Sequence, residues 1–239
     1  MGLYLPMIKC LPVLAAMVCL SAAGCATTTS GTATPAAQAP MTTAETLPTL
    51  LLSAPDVASM LSGGDLVVTR DVSTPWDDSA QFDAQSGGPG CLAVAGAAQK
   101  GVYADTGWTA MHGQVLREPP TSPAWSHFAV QSVVLFPTAA SAADFYATSR
   151  DSWAGCSNRE LAYTQQLAPD QLWSIGPIST DNEVLAVSRE ERSPQHWFCQ
   201  RALTVHGNVG VDVEACSLDG TTSAAAAIAH AIADRLPNA

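Results

Sequence analysis

The amino-acid sequence predicts an α+β fold for residues 47–239. Segments in which apolar and polar residues alternate are typical of strands, and other segments begin with helix-capping residues and end at glycine or proline. An even number of cysteines in the same region indicates a domain held by disulfides. Because the region has roughly 190 residues, which is enough for one hydrophobic core, we expect one compact domain.

Helices are predicted where a capping residue precedes an apolar segment. Ser53 begins the first helix, with Pro55 in its first turn, and Gly63-Gly64 ends it. Ser141 and Asp144 form a capping box at the start of another helix. The predicted helices span 53–63, 91–100, 141–154 and 223–236, and Thr221-Thr222 precede the last of them.

Strands are predicted where apolar residues alternate with polar ones over short segments. Polar, Gly- and Pro-rich segments at 74–90 and 118–125 interrupt them and are expected to be loops. The predicted strands span 66–70, 109–117, 127–136, 159–165, 172–178 and 183–190, and a hairpin spans 197–216.

The hairpin selects one of the three ways in which the four cysteines of the domain can pair. A two-residue turn at Gly207-Asn208 places Cys199 opposite Cys216 on a non-hydrogen-bonded rung, where Cα atoms lie about 4.5 Å apart, within disulfide reach. The remaining pair is then Cys91 with Cys156. A metal site is the alternative, but no CxxC motif is present and no histidine lies at ligand spacing from a cysteine.

The N-terminus predicts export and lipid anchoring. Lys9 precedes an apolar segment, 11–23, that is short for a membrane span, and small residues then lead to Cys25. This motif resembles the lipobox of bacterial lipoproteins. We therefore expect residues 1–24 to be a signal peptide, and Cys25 to carry diacylglycerol and palmitate on the extracytoplasmic face of the cell membrane. Ordinary secretion with cleavage near Ala26 is the alternative.

Residues 25–46 have the composition of a disordered tether. Threonine, proline and alanine dominate this segment, and no apolar period is present from which a core could form. O-glycosylation would suit the composition, but a plain linker would look the same.

The charge of the chain argues against polyanionic partners. The chain has 10 Lys and Arg residues against 21 Asp and Glu residues, a formal net charge of −11, and loss of Lys9 would make the mature chain more acidic. Nucleic acid would be repelled, and so would anionic lipid. Membrane attachment would therefore depend on the acyl chains.

Several longer segments together carry a family resemblance. They are GWTAMHGQVLREP, AVQSVVLFPTAASAADFYATSRDSWAGCSNR, WSIGP and FCQRALTVHGNVGVDVEAC. These segments resemble the PknH-like extracellular sensor domain family, found in mycobacterial receptor kinases and stand-alone lipoproteins, and the resemblance covers about residues 47–237. It implies a twisted antiparallel sheet with packed helices, two intramolecular disulfides at these four cysteines, a possible ligand cleft and a mycobacterial or related source. The chain lacks a kinase domain, so signalling would require a protein partner.

No catalytic motif is found in the sequence. A nucleophile elbow, a zinc-protease motif and a phosphate-binding glycine loop are all absent. We therefore expect a non-catalytic domain with no cofactor and no metal, and a secreted hydrolase is the less favoured alternative.

A small-molecule or envelope ligand is the favoured function. The predicted ligand-binding residues, suited to an anionic or hydroxylated group, are Arg117, Arg150, Asn158, Arg201, Trp108 and Trp125. For Arg201 an exposed pair with Glu214, its partner in the hairpin, is an equally good interpretation. Core packing is the alternative for Trp153 and Trp173. A lipoprotein that docks on another protein through a flat apolar patch is the alternative function.

Overall fold

The computed structural model describes residues 41–78, 80, 88–122, 124–164, 170–192, 194–220 and 223–237. The predicted signal peptide, Cys25 and most of the predicted tether lie outside these residues, as does the predicted helix start at Thr221-Thr222. No helix in the described ranges combines the length and the apolar character needed to cross a membrane.

The described chain forms one eight-stranded antiparallel sheet and six helices. The strands are β1 Val67–Val72, β2 Ala110–Arg117, β3 His127–Leu135, β4 Glu160–Tyr163, β5 Gln171–Asp181, β6 Val184–Glu191, β7 Phe198–His206 and β8 Val209–Ser217. They lie in the order β1-β2-β3-β8-β7-β6-β5-β4. The helices are α1 Leu47–Leu50, α2 Ala54–Met60, α3 Leu92–Ala95, α4 Lys100–Tyr103, α5 Ala139–Ala154 and α6 Ala224–Ala233. The predicted fold class, α+β with an antiparallel sheet and two disulfides, is confirmed.

Both faces of the sheet are covered. Helix α6, with α1 and α2, packs on one face and forms a core with alternate residues of the central strands. On the opposite face α3, α4 and α5 form a second core with the remaining residues. As a result every residue of β8 is buried, whichever way it points. Polar side chains of β8 that point to the second face therefore lie inside the protein.

The hairpin has the predicted register. In β7 and β8 Cys199 lies opposite Cys216, with 4.0 Å between Cα atoms, and His206 lies opposite Val209. Gly207 occupies the turn with φ of 55°, in the left-handed region that glycine adopts without strain. The second disulfide joins Cys91 to Cys156.

Two predicted helices are corrected. Helix α5 begins at Ala139, because Thr138 rather than Ser141 is its N-cap, and Ser141 completes the capping box from inside the first turn. The helix predicted over 91–100 is two short helices, α3 and α4. They are separated because the intervening backbone turns its amide groups towards carboxylates of β8.

Both ends of the described domain lie beside the turn of the β7–β8 hairpin. The backbone N–H of Thr42 donates to Asn208 Oδ1 at 3.0 Å, and Asn208 Nδ2 donates to the Thr42 carbonyl at 3.1 Å. Near the C-terminus, the Pro237 carbonyl lies 3.0 Å from His206 Nε2. The last residues of the predicted tether are therefore structured, and Ala44–Thr46 form a 3₁₀ turn.

Candidate functional site

A cleft of about 900 Å³ opens on the second face of the sheet. Its volume falls within the range of roughly 300–1,000 Å³ that is usual for small-molecule sites. Six aromatic side chains line it: Trp76, Trp125, Phe128, Tyr163, Trp173 and Trp197.

The floor of the cleft is a row of side chains from four neighbouring strands. Phe128 of β3 lies opposite Cys216 of β8, Cys216 lies opposite Cys199 of β7, and Cys199 lies opposite Arg189 of β6. The Cys199–Cys216 disulfide thus crosses the middle of the floor. Because adjacent strands hold it in register, the floor is rigid.

One wall of the cleft is the segment 95–99, held in place by buried carboxylates and by Gln99. The Ala97 N–H donates to Glu214 Oε2 at 3.2 Å, and the Ala98 N–H donates to Asp212 Oδ2 at 2.8 Å. Gln99 Nε2 donates to Asp78 Oδ2 at 2.7 Å, and this contact fixes the segment that carries Trp76. The wall therefore depends on two charges from β8.

Those charges belong to two buried ion pairs. Arg189 pairs with Glu214, and Arg201 Nη2 lies 2.6 Å from Asp212 Oδ1. Arg201 is only 2% exposed, so its predicted surface pair with Glu214 is wrong even though the two residues are opposite in the hairpin. Burial, and then the positive charge of Arg201, lowers the pKa of Arg189 to about 9, which leaves it charged at neutral pH.

Arginine side chains stack on three of the cleft tryptophans. The guanidinium carbon lies 5.0 Å from the ring centroid in the Arg70–Trp76 pair, 3.9 Å in the Arg117–Trp125 pair and 4.6 Å in the Arg189–Trp173 pair. Cation–π contacts of this kind hold a flat ring in one orientation. Most of the indole surface in the cleft is thereby fixed before any ligand arrives.

Glu118 holds the base of the loop that presents Trp125 at the rim of the cleft. Its Oε1 accepts hydrogen bonds from the Ser126 hydroxyl at 2.7 Å and the Ser126 N–H at 3.2 Å, and it lies 2.8 Å from His127 Nδ1. Burial alone would raise the pKa of Glu118, but the hydrogen bonds from Ser126 and His127 together outweigh it and lower the pKa to about 2.

We expect Glu118→Gln to reduce the pH dependence of the free energy of unfolding in acid. Because the folded pKa lies below the ordinary value of 4.5, the stabilisation by Glu118 is full above pH 4.5 and is lost as the pH falls towards 2. Urea unfolding between pH 7 and pH 2.5 should show the variant less stable at pH 7 and converging with the original protein in acid. Glu160→Gln, at an exposed carboxylate, is the control. Parallel curves for Glu118→Gln and the original protein would contradict the assignment.

Of the six predicted ligand residues, Trp125 alone lines the cleft. Arg117 stacks on Trp125 from beside the cleft, and Arg201 lies in the core against Trp153. The other three lie elsewhere: Arg150 is exposed on α5 next to Asp151, Asn158 is exposed in a turn with φ of 55°, and Trp108 packs half-buried against the second core. The predicted polar cleft of arginines is therefore not assembled.

Among the cleft residues that the predicted ligand set did not include are Trp76, Trp173, Trp197 and Arg189. Trp173 and Trp197 stand out in the sequence as aromatics, but only the strand register shows which face they share with the disulfide. Among the described residues, the group of side chains with metal-ligand spacing is Cys199, Cys216 and Glu214, and both sulfurs are joined in the disulfide.

Comparisons with known proteins give one consistent match. The family model of the PknH-like extracellular domain matches residues 42–235. The serine/threonine-protein kinases PknH of Mycobacterium bovis and Mycobacterium tuberculosis are 31% identical over 192 residues, which is 80% of this chain but 31% and 29% of the kinases. The crystal structure of the extracellular domain of PknH from Mycobacterium tuberculosis superposes with a TM-score of 0.73 at 29% identity, covering 83% of this chain and 98% of that domain.

Proposed function

Because this chain belongs to the family of PknH-like extracellular domains, we propose that it is an extracytoplasmic, sensor-type domain that binds a ligand in the aromatic cleft. One observation carries the proposal: six aromatic side chains converge on a rigid, disulfide-crossed floor that also presents charged groups. Concave sites with apolar walls and a few fixed polar groups are the usual form of small-molecule sites.

We propose that the domain is non-catalytic. The carboxylates that line the cleft are engaged in structural contacts, Glu214 with Arg189 and Ala97, and Asp78 with Gln99. The sulfurs at the floor are oxidised to the disulfide. A nucleophile or general base in the cleft would have to break one of these contacts before it could act.

Lipid anchoring at Cys25 is part of the same proposal and is supported by the small residues that precede this cysteine. Anchoring would keep the domain at the membrane, where a partner protein could receive the signal. Mass spectrometry of the protein from its native host tests it. A diacylglycerol-modified N-terminal cysteine is expected, and a free thiol at Cys25 would disprove the anchor.

Docking on another protein is a second candidate function. Trp125 is 47% exposed and Leu218 is 39% exposed, and both lie on the rim of the cleft. Exposed apolar residues around a cavity also occur at sites that receive a side chain of a partner. In that case the domain would bind a folded partner but no small molecule.

Thermal-shift measurements on the oxidised mature chain test the proposed cleft. The probes are cell-wall fragments, lipids and polar metabolites. We expect at least one compound to raise the melting temperature of the original protein and of Leu172→Ala, which removes an exposed apolar side chain outside the cleft, but not of Trp125→Ala. A shift that survives in Trp125→Ala and Trp197→Ala would place the ligand elsewhere. Absence of any shift would favour the docking function.

A further inference from the structure

We propose that the ligand is an uncharged saccharide of a few rings, bound with its ring faces against the cleft tryptophans. This inference rests on the proposed function of the cleft and names the class of ligand. It depends on three features of the described residues: the graded exposure of the indoles, the balance of charge in the lining, and a donor and an acceptor on the cleft face of β6 that lack partners.

Three of the cleft tryptophans, Trp125, Trp76 and Trp197, offer partly exposed apolar ring surfaces, and Trp173 is buried at the floor. Trp125 at the rim is 47% exposed, Trp76 and Trp197 are half-buried, and Trp173 at the floor is 8% exposed. One face of a pyranose ring carries several C–H groups and stacks on the electron-rich face of an indole. Stacked arginines already hold Trp76, Trp125 and Trp173, so little side-chain entropy is lost when a ring settles on them.

The charges in the lining favour an uncharged ligand. Arg70 and Arg189 are balanced by Asp78 and Glu214, and the one deeply buried cation, Arg189, already has a carboxylate partner. An anionic head group would compete with Glu214 for Arg189. An acyl chain, in turn, would desolvate Arg70 and Asp78, which are accessible in the lining, without hydrogen-bonding either of them.

Hydroxyl groups suit the polar part of the lining. Guanidinium and amide groups donate, and carboxylate and amide oxygens accept, so the lining that includes Arg70, Asp78 and Gln171 presents both kinds of group. A hydroxyl donates one hydrogen bond and accepts others. A polyol can therefore satisfy both kinds of group at once, whereas a carboxylate or a phosphate dianion can only accept.

A donor and an acceptor that lack partners lie on the cleft face of β6. Within the described chain, Arg189 Nε and Glu191 Oε2 are buried without a hydrogen-bond partner, and the two residues are two positions apart on the same face of the strand. Arg189 lines the cleft, and Glu191 lies opposite Trp173. A hydroxyl that enters beside Trp173 could accept from the arginine and donate to the carboxylate. Unpaired buried groups of this kind are costly and point to such a partner.

Isothermal titration calorimetry of the oxidised mature chain tests the ligand class. The probes are maltotriose, N,N′,N″-triacetylchitotriose and mannotriose as uncharged saccharides, trigalacturonate as an acidic one, and decanoate as an acyl chain. We expect saturable binding of at least one uncharged trisaccharide. Loss of one stacked indole typically weakens binding about tenfold, so Trp125→Ala should show at least that loss while Leu172→Ala binds like the original protein.

Each other outcome overturns a stated part of the proposal. If decanoate or trigalacturonate binds in a Trp125-dependent manner and no uncharged saccharide does, the ligand class is wrong and the cleft function stands. If a saccharide binds equally well to Trp125→Ala, the saccharide site lies outside the cleft. If none of the five probes binds and the thermal-shift screen is also negative, both proposals fail. Circular dichroism confirms that each variant is folded.

Discussion

Replacing Cys91 and Cys156 together by serine is expected to lower the free energy of unfolding by about 4 kcal/mol. This disulfide closes the longer of the two loops, with a sequence separation of 65 against 17 for Cys199–Cys216, and the entropy removed from the unfolded chain grows with loop length. Because small domains have only about 5–15 kcal/mol in total, the loss should be visible as a large fall in the urea midpoint.

The matched comparison is the double serine variant of Cys199 and Cys216, for which we expect a loss of about 3 kcal/mol. The two disulfides also differ in their position in the fold. Cys91–Cys156 links the start of α3 to the end of α5 across the top of the second core, whereas the other disulfide links neighbouring strands. A smaller loss for the 91/156 variant than for the 199/216 variant would show that loop length does not govern these stabilities.

Asp212→Ala is expected to cost about 3–5 kcal/mol, the usual effect of removing one partner of a buried ion pair. Asp212 accepts hydrogen bonds from Arg201 at 2.6 Å, from the Tyr103 hydroxyl at 2.7 Å and from the Ala98 N–H at 2.8 Å. Without it Arg201 would remain buried after losing the carboxylate to which it donates. Urea unfolding at neutral pH measures the loss.

Asp151→Ala is the matched control for that variant. Asp151 also lies beside an arginine, Arg150, but both side chains are more than half exposed, so the expected loss is about 0–1 kcal/mol. The double variant Arg201→Met with Asp212→Leu removes both charges and should recover the part of the loss that comes from the unpaired Arg201, but not the part that comes from the Tyr103 and Ala98 donors. Equal unfolding free energies for Asp212→Ala and Asp151→Ala would show that the buried pair does not stabilise the fold.

The hairpin shows what the sequence was able to predict. A glycine at a two-residue turn fixes the register of the strands that it joins, and a one-residue error would have moved every side chain to the opposite face. From Gly207 alone the opposition of Cys199 and Cys216 followed, and the second disulfide followed from the first. Local rules of this kind need no knowledge of distant parts of the chain.

Arg201 shows why the polar residues were harder to place. Alternation in β7 and β8 correctly predicts two different faces, but it does not show whether the charged face meets solvent. In the structure the segment 91–103 and α5 cover that face, and its charges are satisfied by backbone groups as well as by each other. No local sequence pattern predicts that a segment about a hundred residues away covers this face of the hairpin.

The resemblance predicts a possible ligand cleft, but for the same reason no local pattern identifies most of the residues that line it. Its tryptophans come from the loop before α3, the loop before β3, from β5 and from the loop before β7, and only the completed sheet brings them together. The prediction relied on arginines because they suit polar ligands, and it included Trp125. Arg150 and Asn158 are exposed outside the cleft because the end of α5 and the turn after it run past the side of the second core.

The contact between Thr42 and Asn208 fixes the end of the domain at which the chain enters. The chain enters at the turn of the β7–β8 hairpin, and Pro237 leaves beside the same turn, whereas the disulfide that marks the cleft floor lies seven residues along β7, a distance of about 23 Å in a strand. The chain before Thr42 therefore joins the domain at the hairpin turn, whereas the cleft lies at the other end of the hairpin. A ligand too large to enter the cleft fully, such as the end of a polymer, could bind there without contacting Thr42 or Pro237.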